Sequence, residues 1–314
     1  LNTRLVGLKL VNGYSGEGGG VYCAGASPRI ENCIIENCNA TSFGGGVLAK
    51  GGSLRISDSI IRKNNASAIN IRNGANVTVE RTTFYNNMGQ DTIALYGGAA
   101  NFNEVVLNKN QSYNQILNNG SQFKGEKLLI TNNSGGNLIH SINQSKTLIQ
   151  FATIYGNSGN IWAQETASKI YIYNSILNAN TGQLNAPPKS LIIEYSNLDF
   201  EYDGIGNINQ KPYFFDKDND DFRLKEDSPM IDSGHPDLND DGVTWEKDKS
   251  DQDLDGSRFD IGAYAFFQDG LPAFSKQVKA LVVQLGNNTF FSFEASGGWP
   301  RTYQWERNGV PIPG

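Results

Sequence analysis

Apolar residues recur along roughly the first 200 residues at steps of about 23, which indicates a repeating structural unit. One apolar column consists of Ile35, Ile61, Phe84, Leu107, Ile130, Ile154, Leu177 and Leu198. A second column stands five residues earlier in each repeat and consists of Ile30, Ile56, Val79, Phe102, Gly125, Ile149, Ile172 and Ile193. A third column stands 14–16 residues before the first and consists of Val21, Val47, Ile69, Ile93, Ile116, Ile139 and Ile161.

A polar position keeps the same register as these columns. Three residues after the first column come Asn64, Asn87, Asn110, Asn133, Asn157 and Asn180, with Cys38 at this place in an earlier repeat. Each repeat has room for two or three short strands joined by Gly and Asn turns. One repeat cannot bury its apolar face alone, so repeats must stack about 4.8 Å apart, and asparagine amides can then hydrogen-bond along the stack. The pattern predicts an all-β solenoid of about eight coils over residues 1–204, with a buried asparagine ladder.

The chain has three cysteines, Cys23, Cys33 and Cys38, all in the first two repeats. Cys23 and Cys33 fall at inward positions, and Cys38 takes the ladder position. We interpret all three as small core residues, and a single disulfide between two of them is the alternative.

The repeats resemble a known family. The stretches GGGVYCAGASPRIENCIIENCNA (18–40) and GGGVLAKGGSLRISDSIIRKNNA (44–66) are similar to the repeats of right-handed parallel β-helix proteins secreted by bacteria, which share the pectate-lyase-like fold. The resemblance implies a fold, and it does not imply an activity, because enzymes, adhesins and surface proteins all use this fold.

The net charge of −6 is concentrated in residues 199–270, which carry −13, whereas residues 1–198 carry +5. Within this acidic stretch, KPYFFDKDNDDFRLKEDSPMIDSGHPDLNDDG (211–242) and DQDLDGSRFDIGAYAF (251–266) resemble the closing region of bacterial β-helix proteins. Ala265 departs from that region, which usually has Glu there. The resemblance implies that residues 205–268 form a capping segment, packed beside the last coils and shielding the exposed edge of the solenoid.

Two stretches of this segment have the spacing of a calcium loop, with oxygen-bearing side chains at alternate positions and Gly at the sixth. The first loop offers Asp237, Asn239, Asp241 and Asp248 at positions 1, 3, 5 and 12. The second loop offers Asp251, Asp253 and Asp255, with Asp260 as a substitute for the glycine at position 12. A third, weaker run is Asp216, Asp218 and Asp220. We expect one structural Ca²⁺ ion, and the sequence favours the first loop slightly over the second as its site. Solvated aspartate turns that hold no ion are the alternative.

Residues 271–314 follow a different pattern. A proline near the start precedes two predicted strands of alternating apolar and polar residues, which are separated by Gly-Asn-Asn and followed by Tyr-Gln-Trp. This order resembles the N-terminal half of a bacterial Ig-like domain, in which Trp305 would be the core tryptophan. The resemblance implies that the chain is a fragment of a longer modular protein, exported and anchored through a C-terminal region that this fragment lacks.

A ligand would bind along an outward column of the solenoid. Next to the third apolar column the sequence places Tyr22, His140 and Trp162, and two residues further along it places Lys50, Arg72 and Tyr96. Aromatic faces can stack on sugar rings, and cations can pair with uronate carboxylates, so these residues predict a glycan-binding surface. The alternative is an ordinary solvent-exposed sheet, in which His140 is a packing or surface residue.

Two function classes remain. The first is a secreted or cell-surface bacterial protein whose β-helix is a non-catalytic binding, adhesion or spacer module, with a polysaccharide or cell-surface glycan as partner. The second is a polysaccharide lyase for uronate polymers that uses Lys50 and Arg72, the only adjacent cation pair at this surface. The sequence has no phosphate-binding loop, no dinucleotide fingerprint, no basic stripe for nucleic acid and no apolar run long enough to span a membrane.

Overall fold

The computed structural model describes residues 3–268 and four short pieces beyond them, 273–276, 294–296, 304–307 and 310–312. The chain is all-β and forms a parallel β-solenoid of about eight turns, as predicted. In these ranges the only helices are two single 3₁₀ turns, Lys217–Asn219 and Lys249–Asp251. No helix there is long and apolar enough to cross a membrane.

Each coil contributes strands to three faces, which we number in their order within a coil. The chain begins on face 2. Face 1 consists of Val21–Ala24, Val47–Lys50, the first part of Ser67–Glu80, the first part of Met88–Asn103, Gln111–Asn119, Asn137–Ile142, Asn160–Ala163 and Leu184–Asn185. Face 2 consists of Arg4–Val6, Arg29–Glu31, Ser53–Ser57, the second parts of the same two long strands, Gln122–Glu126, Lys146–Gln150, Lys169–Tyr173 and Leu191–Glu194. Face 3 consists of Lys9–Val11, Ile34–Glu36, Ile60–Arg62, Thr83–Tyr85, Val106–Asn108, Leu129–Thr131, Thr153–Tyr155, Ile176–Asn178 and Asn197–Leu198.

The remaining strands are short pairs. Tyr14–Glu17 and Asn39–Phe43 form a parallel pair that we call the flap. Phe214–Asp216 pairs with Asp221–Leu224, Ala273–Lys276 with Glu294–Ser296, and Glu306–Arg307 with Val310–Pro311, all antiparallel.

The strand register confirms the three apolar columns. On face 2, Ile56 pairs with Val79, and Val79 with Phe102. Phe102 in turn pairs with Gly125. A Cβ at Gly125 would lie 2.4 Å from the Leu128 side chain, so glycine interrupts the column because neighbouring large side chains already fill the core there.

The asparagine ladder is also present. From Asn87 onward, each ladder Oδ1 accepts two hydrogen bonds from the preceding coil; for example, the backbone N–H and Nδ2 of Asn87 donate to Asn110 Oδ1 at 3.0 and 2.9 Å. Each Nδ2 also donates to a main-chain carbonyl, as Asn110 does to Phe84 at 3.0 Å. Except for half-buried Asn180 at the end, these amides are buried, and all of them are hydrogen-bonded, which is the condition for polar groups to be tolerated in a core.

A second ladder of hydroxyl groups lies at the turn between faces 2 and 3. Ser59 Oγ accepts from the Cys33 N–H at 3.1 Å and donates to the Ser57 carbonyl at 2.7 Å. Ser175 and Ser196 repeat the arrangement in later coils. The sequence columns did not reveal this ladder, because Val105, Leu128 and Ala152 interrupt it.

The three cysteines are free thiols buried in the first coils, which agrees with their interpretation as core residues. The backbone N–H of Cys38 donates to Asn64 Oδ1 at 2.9 Å, so Cys38 begins the asparagine ladder. Burial raises the pKa values of the Cys23 and Cys38 thiols, which keeps both in the apolar thiol form.

Tight turns on both sides of face 3 use left-handed backbone, including at residues other than Gly and Asn. Lys63 has φ of 55° and is exposed. Because a non-glycine residue is strained in this region, Lys63→Gly is expected to raise the free energy of unfolding by about 0.5–1 kcal/mol. Chemical denaturation measures the change, and Lys63→Ala, which keeps the strain, should show no gain. An equal gain in both variants would contradict the explanation.

The acidic segment packs against the outside of face 3. Its buried Phe214, Phe222 and Ile261 form one apolar cluster with Leu129 and Ile176 of that face. Residues just before it continue the solenoid, where the Leu198 N–H donates to the Ile208 carbonyl at 3.0 Å. Residues 211–268 then lie along the side of the coils.

Asp220, from the weakest calcium run, holds this segment in place. It accepts hydrogen bonds from Asn108 and Asn132 at 3.2 and 3.0 Å, and it forms an ion pair with Lys109 at 3.3 Å. Its carboxylate is therefore used for docking onto face 3.

Most of residues 271–314 lie outside the described residues. The described pieces form the two short antiparallel pairs given above, and Trp305 is exposed. The Ig-like half domain therefore stays a prediction.

Candidate functional site: the corner between the flap and face 1

The outward column that contains Tyr22, His140 and Trp162 is more enclosed than the sequence predicts. Tyr22 is 50% exposed, but Leu48, Asn70, Ala94, Leu117 and His140 of the same column are buried. The flap lies against this side of face 1, where Glu17 contacts Lys50 and Phe43 contacts Arg72. A Cβ at Gly44, beside the flap, would lie 2.8 Å from the Leu48 Cβ. The expected open platform is instead partly covered, and we call the place where the flap meets Lys50, Arg72 and Tyr96 the corner.

The next outward column brings two predicted cations and one aromatic residue together. Lys50, Arg72 and Tyr96 are direct register partners in three successive coils. The Arg72 guanidinium lies 4.3 Å from the centre of the Tyr96 ring and 3.5 Å from that of Phe43, which comes from the flap. Arg72 Nε donates to Asn70 Oδ1 at 2.9 Å. Two rings and one amide thus fix the guanidinium in position.

Lys50 is occupied by a partner from the flap. Its Nζ donates to both carboxylate oxygens of Glu17, at 3.0 and 2.8 Å. This hydrogen-bonded ion pair raises the pKa of Lys50, so the amine is protonated at neutral pH. A protonated lysine is a cation for binding and not a proton acceptor.

Asp91 joins this corner and was not predicted as a site residue. It is 3% exposed, and Asn114 Nδ2 donates to its Oδ1 at 2.7 Å. Burial raises the pKa of Asp91 to about 6, against the opposing effects of the Asn114 hydrogen bond and the Arg72 charge. Asn137 continues the row by donating to Asn114 at 2.8 Å. The spacing of these residues, 23 in each step, is the sequence signal that could have revealed the row.

The predicted aromatic residues do not form one compact site. Tyr22 and Trp162 are six register steps apart along face 1, about 29 Å at the usual strand spacing. Trp162 stacks on His140 with ring centres 4.5 Å apart and planes within 6°, so each ring covers one face of the other. His140 Nε2 lies 3.2 Å from Gln164 Oε1, and burial lowers the pKa of His140. This pair is therefore a packed, neutral contact, whereas Tyr96 lies against the Arg72 guanidinium.

The first calcium loop satisfies its own side chains. Asp237 accepts hydrogen bonds from the backbone N–H groups of Asp241 and Gly242, at 3.1 and 2.9 Å. Asn239 Nδ2 donates to Asp241 and Asp248, at 3.3 and 3.1 Å. Every carboxylate of this loop therefore has partners without an ion.

The second calcium loop is less well satisfied. Asp251 is completely buried, and Leu238 N–H donates to its Oδ1 at 2.8 Å, while its Oδ2 accepts no hydrogen bond. Asp253 Oδ2 is likewise buried and accepts none. Burial and the nearby carboxylates of Asp255 and Asp260 raise the pKa of Asp253 to about 8. Burial also raises the pKa of Asp260 to about 7.

No three acidic, histidine or cysteine side chains converge as a ready metal site in the part of the chain that the structure describes. The predicted ligands thus separate into a self-satisfied first loop and a second loop with unpaired buried oxygens.

The comparison with family models agrees with the fold. The family model described as "Right handed beta helix region" matches residues 8–134. No curated protein matches the chain. Among solved structures, the pectate lyase Pel9A is similar with a TM-score of 0.45 and 12% identity, over 83% of this chain and 73% of that chain. The solenoid is a right-handed parallel β-helix.

Proposed function

We propose that the solenoid is a non-catalytic binding module for acidic oligosaccharides, which it recognises through Arg72 at the corner of face 1. The observation that carries this proposal is the position of Arg72, held between Phe43 and Tyr96 with Nε bonded to Asn70. In this proposal the chain is secreted or displayed on a bacterial surface, where such glycans are encountered.

The guanidinium chemistry supports a carboxylate ligand. Arg72 makes its only hydrogen bond to a described residue through Nε, so its η nitrogens remain for a partner. A fixed guanidinium can bind a carboxylate through two parallel hydrogen bonds, and little side-chain entropy is lost because the rings already order it. A uronate is a sugar that carries such a carboxylate.

The neighbouring residues suit the rest of a sugar chain. Tyr96 supplies an aromatic surface at the guanidinium, and half-exposed Tyr22 lies further along the solenoid. Lys50 lies in the coil next to Arg72, and its charge is paired with Glu17 of the flap. A charged oligosaccharide lying along the solenoid axis would meet these groups in sequence.

Binding of galacturonate oligomers, measured by calorimetry, tests this proposal. Arg72→Ala is expected to weaken binding about tenfold or more, because a charge-assisted contact is lost. Arg55→Ala is the matched control, since Arg55 lies on face 2 in an ion pair with Glu80. A neutral oligosaccharide of equal length should bind no better to the wild type than to the variant. Equal affinities of Arg72→Ala and wild type for galacturonate oligomers would refute the proposal.

A lyase is the second candidate, favoured by one observation. Asp91 lies near Arg72 with its pKa raised to about 6, a value suited to a general base near neutral pH. Incubation with polygalacturonate and alginate, followed by the absorbance of unsaturated products, separates the two functions. Product that forms with wild type and is lost in Asp91→Asn would establish the lyase; binding without product supports the binding module.

A further inference from the structure

A pocket lies where the acidic segment begins to pack on face 3, on a different face from the corner. Its volume is about 310 Å³, which is within the range of pockets that hold small ligands. Its lining comes from both sides of the contact. Tyr155 and Asn178 belong to face 3, whereas residues 211–218 and Lys225 belong to the acidic segment.

Three lysines line this pocket, although the segment around it is strongly acidic. Lys211, Lys217 and Lys225 are three of only seven basic residues between positions 199 and 270. Lys217 Nζ donates to Asp218 Oδ1 at 2.6 Å. The amines of the other two lysines have no carboxylate partner in the part of the chain that the structure describes. The pocket therefore offers two cations that are not neutralised by a direct contact.

The acidic groups of the segment do not cancel these charges at the pocket. The lining includes two carboxylates, Asp216 and Asp218, so its side chains carry three positive and two negative charges, a net charge of +1. Asp216 accepts a hydrogen bond from Asn219 Nδ2 at 2.7 Å, and the Asp218 side chain is 83% exposed to water. Exposed charges further away than about 8 Å are largely screened at physiological ionic strength. The local charge therefore decides which ligands the pocket attracts.

Two aromatic side chains form walls of the pocket. The Tyr155 ring is fixed against Phe214 and Phe222, with ring centres 5.6 and 5.1 Å away. Tyr213 has φ of 51°, a left-handed conformation that is strained for a bulky residue, and it lies outside the repeated turns of the coils. Its carbonyl accepts from the Lys225 N–H at 2.9 Å, which holds the strained backbone in place. The fold thus fixes one exposed ring beside the lysines.

We infer that this pocket binds a sugar ring that carries an anionic group, which is a carboxylate, a sulfate or a phosphate. The sugar would lie against Tyr213, which is 40% exposed and has the Lys211 amine 5.4 Å from its ring centre. The anionic group would bind the amines of Lys211 and Lys225, since lysine is a compact charge with three rotatable donors. The Asn178 amide and the Asp216 carboxylate suit the hydroxyl groups of a sugar, which both donate and accept hydrogen bonds.

Titration of the full chain with monosaccharides, followed by saturation-transfer NMR, tests this inference. The probes share one ring: glucuronate, glucose 6-sulfate, glucose 6-phosphate and neutral glucose. At least one anionic sugar should bind about five times more tightly than glucose, and its identity defines the anionic group. Inorganic sulfate and phosphate should bind more weakly than the matching sugar, because they cannot use Tyr213. Absence of binding by all three anionic sugars overturns the inference, and so does equal affinity for glucose or for the inorganic ion.

Matched variants assign the binding to this pocket. Lys225→Gln and Tyr213→Ala should each weaken it about fivefold or more, whereas Tyr213→Phe, which keeps the ring, should bind like the wild type. Lys247→Gln removes the same charge from an exposed position of the segment outside the pocket, and it should leave the affinity unchanged. Circular dichroism identifies any variant that fails to fold. Unchanged affinity in both Lys225→Gln and Tyr213→Ala overturns the inference, and so does an equal loss in Lys247→Gln.

This site is independent of the proposed function, which rests on the corner of face 1. Arg72→Ala should therefore leave the affinity of this pocket unchanged. The failure of one site is then distinguishable from the failure of the other, because each site has its own variants.

Discussion

Replacing Phe102 by alanine is expected to lower the free energy of unfolding by about 4 kcal/mol. Phe102 is fully buried at the centre of a stack that crosses three coils. Its ring centre is 5.9 Å from that of Phe84 and 5.3 Å from that of Phe123. The alanine would leave a cavity between rings that cannot collapse, because the coil spacing is fixed by the strand hydrogen bonds.

Chemical denaturation followed by circular dichroism measures this loss. Phe102→Leu retains most of the side-chain volume, so its free energy of unfolding should fall clearly less than that of the alanine variant. Met88→Ala is the exposed control, and a change within about 0.5 kcal/mol is expected there. If Phe102→Ala lowered the free energy of unfolding no more than this control does, the aromatic stack would not be the centre of the core.

The second large effect is expected for Asn110→Ala, with a loss of about 3–5 kcal/mol. The substitution removes the acceptor of two hydrogen bonds from Asn87 and the donor to the Phe84 carbonyl. It also removes the Asn110 Nδ2 donor to Asn133 Oδ1. The backbone N–H of residue 110, which donates to the same oxygen, remains. These groups are buried where water cannot replace the lost partner, so each unpaired group adds to the cost.

The same denaturation assay measures this effect, and Asn101→Ala is the matched control. Asn101 lies on face 2, is exposed, and has no side-chain hydrogen bond within the described residues. A loss below about 0.5 kcal/mol is expected for it. A similar small loss for Asn110→Ala would mean that the ladder contributes little to stability.

The solenoid itself could be predicted because apolar residues recur in the sequence with the period of the coils. Residues that stack in space, such as Ile35 and Ile61, are the same column of the repeat, and the structure pairs them in register. The ladder could be predicted for the same reason. In a parallel stack each residue meets its own counterpart in the next coil, so the contact is fixed by the repeat length alone.

The candidate site depends on contacts that the repeat does not encode. Lys50 and Arg72 could be predicted as neighbours, because they share a column. Phe43 and Glu17 could not, since they belong to the flap, which lies outside the three apolar columns. Asp91 could not be predicted as a site residue, because its burial is a property of the folded chain.

The sequence by itself determined the architecture of this protein, its core columns, its asparagine ladder and the acid-rich composition of residues 205–268. Only the tertiary structure decided that Arg72 is held between two rings, that Lys50 is paired, and that Asp251 rather than Asp237 has an unpaired oxygen. The physical reason is that stacking repeats the same contact in every coil, whereas these arrangements join segments that each occur once. The charge of a side chain can be read from the sequence, but the group that pairs with this charge depends on how the chain folds.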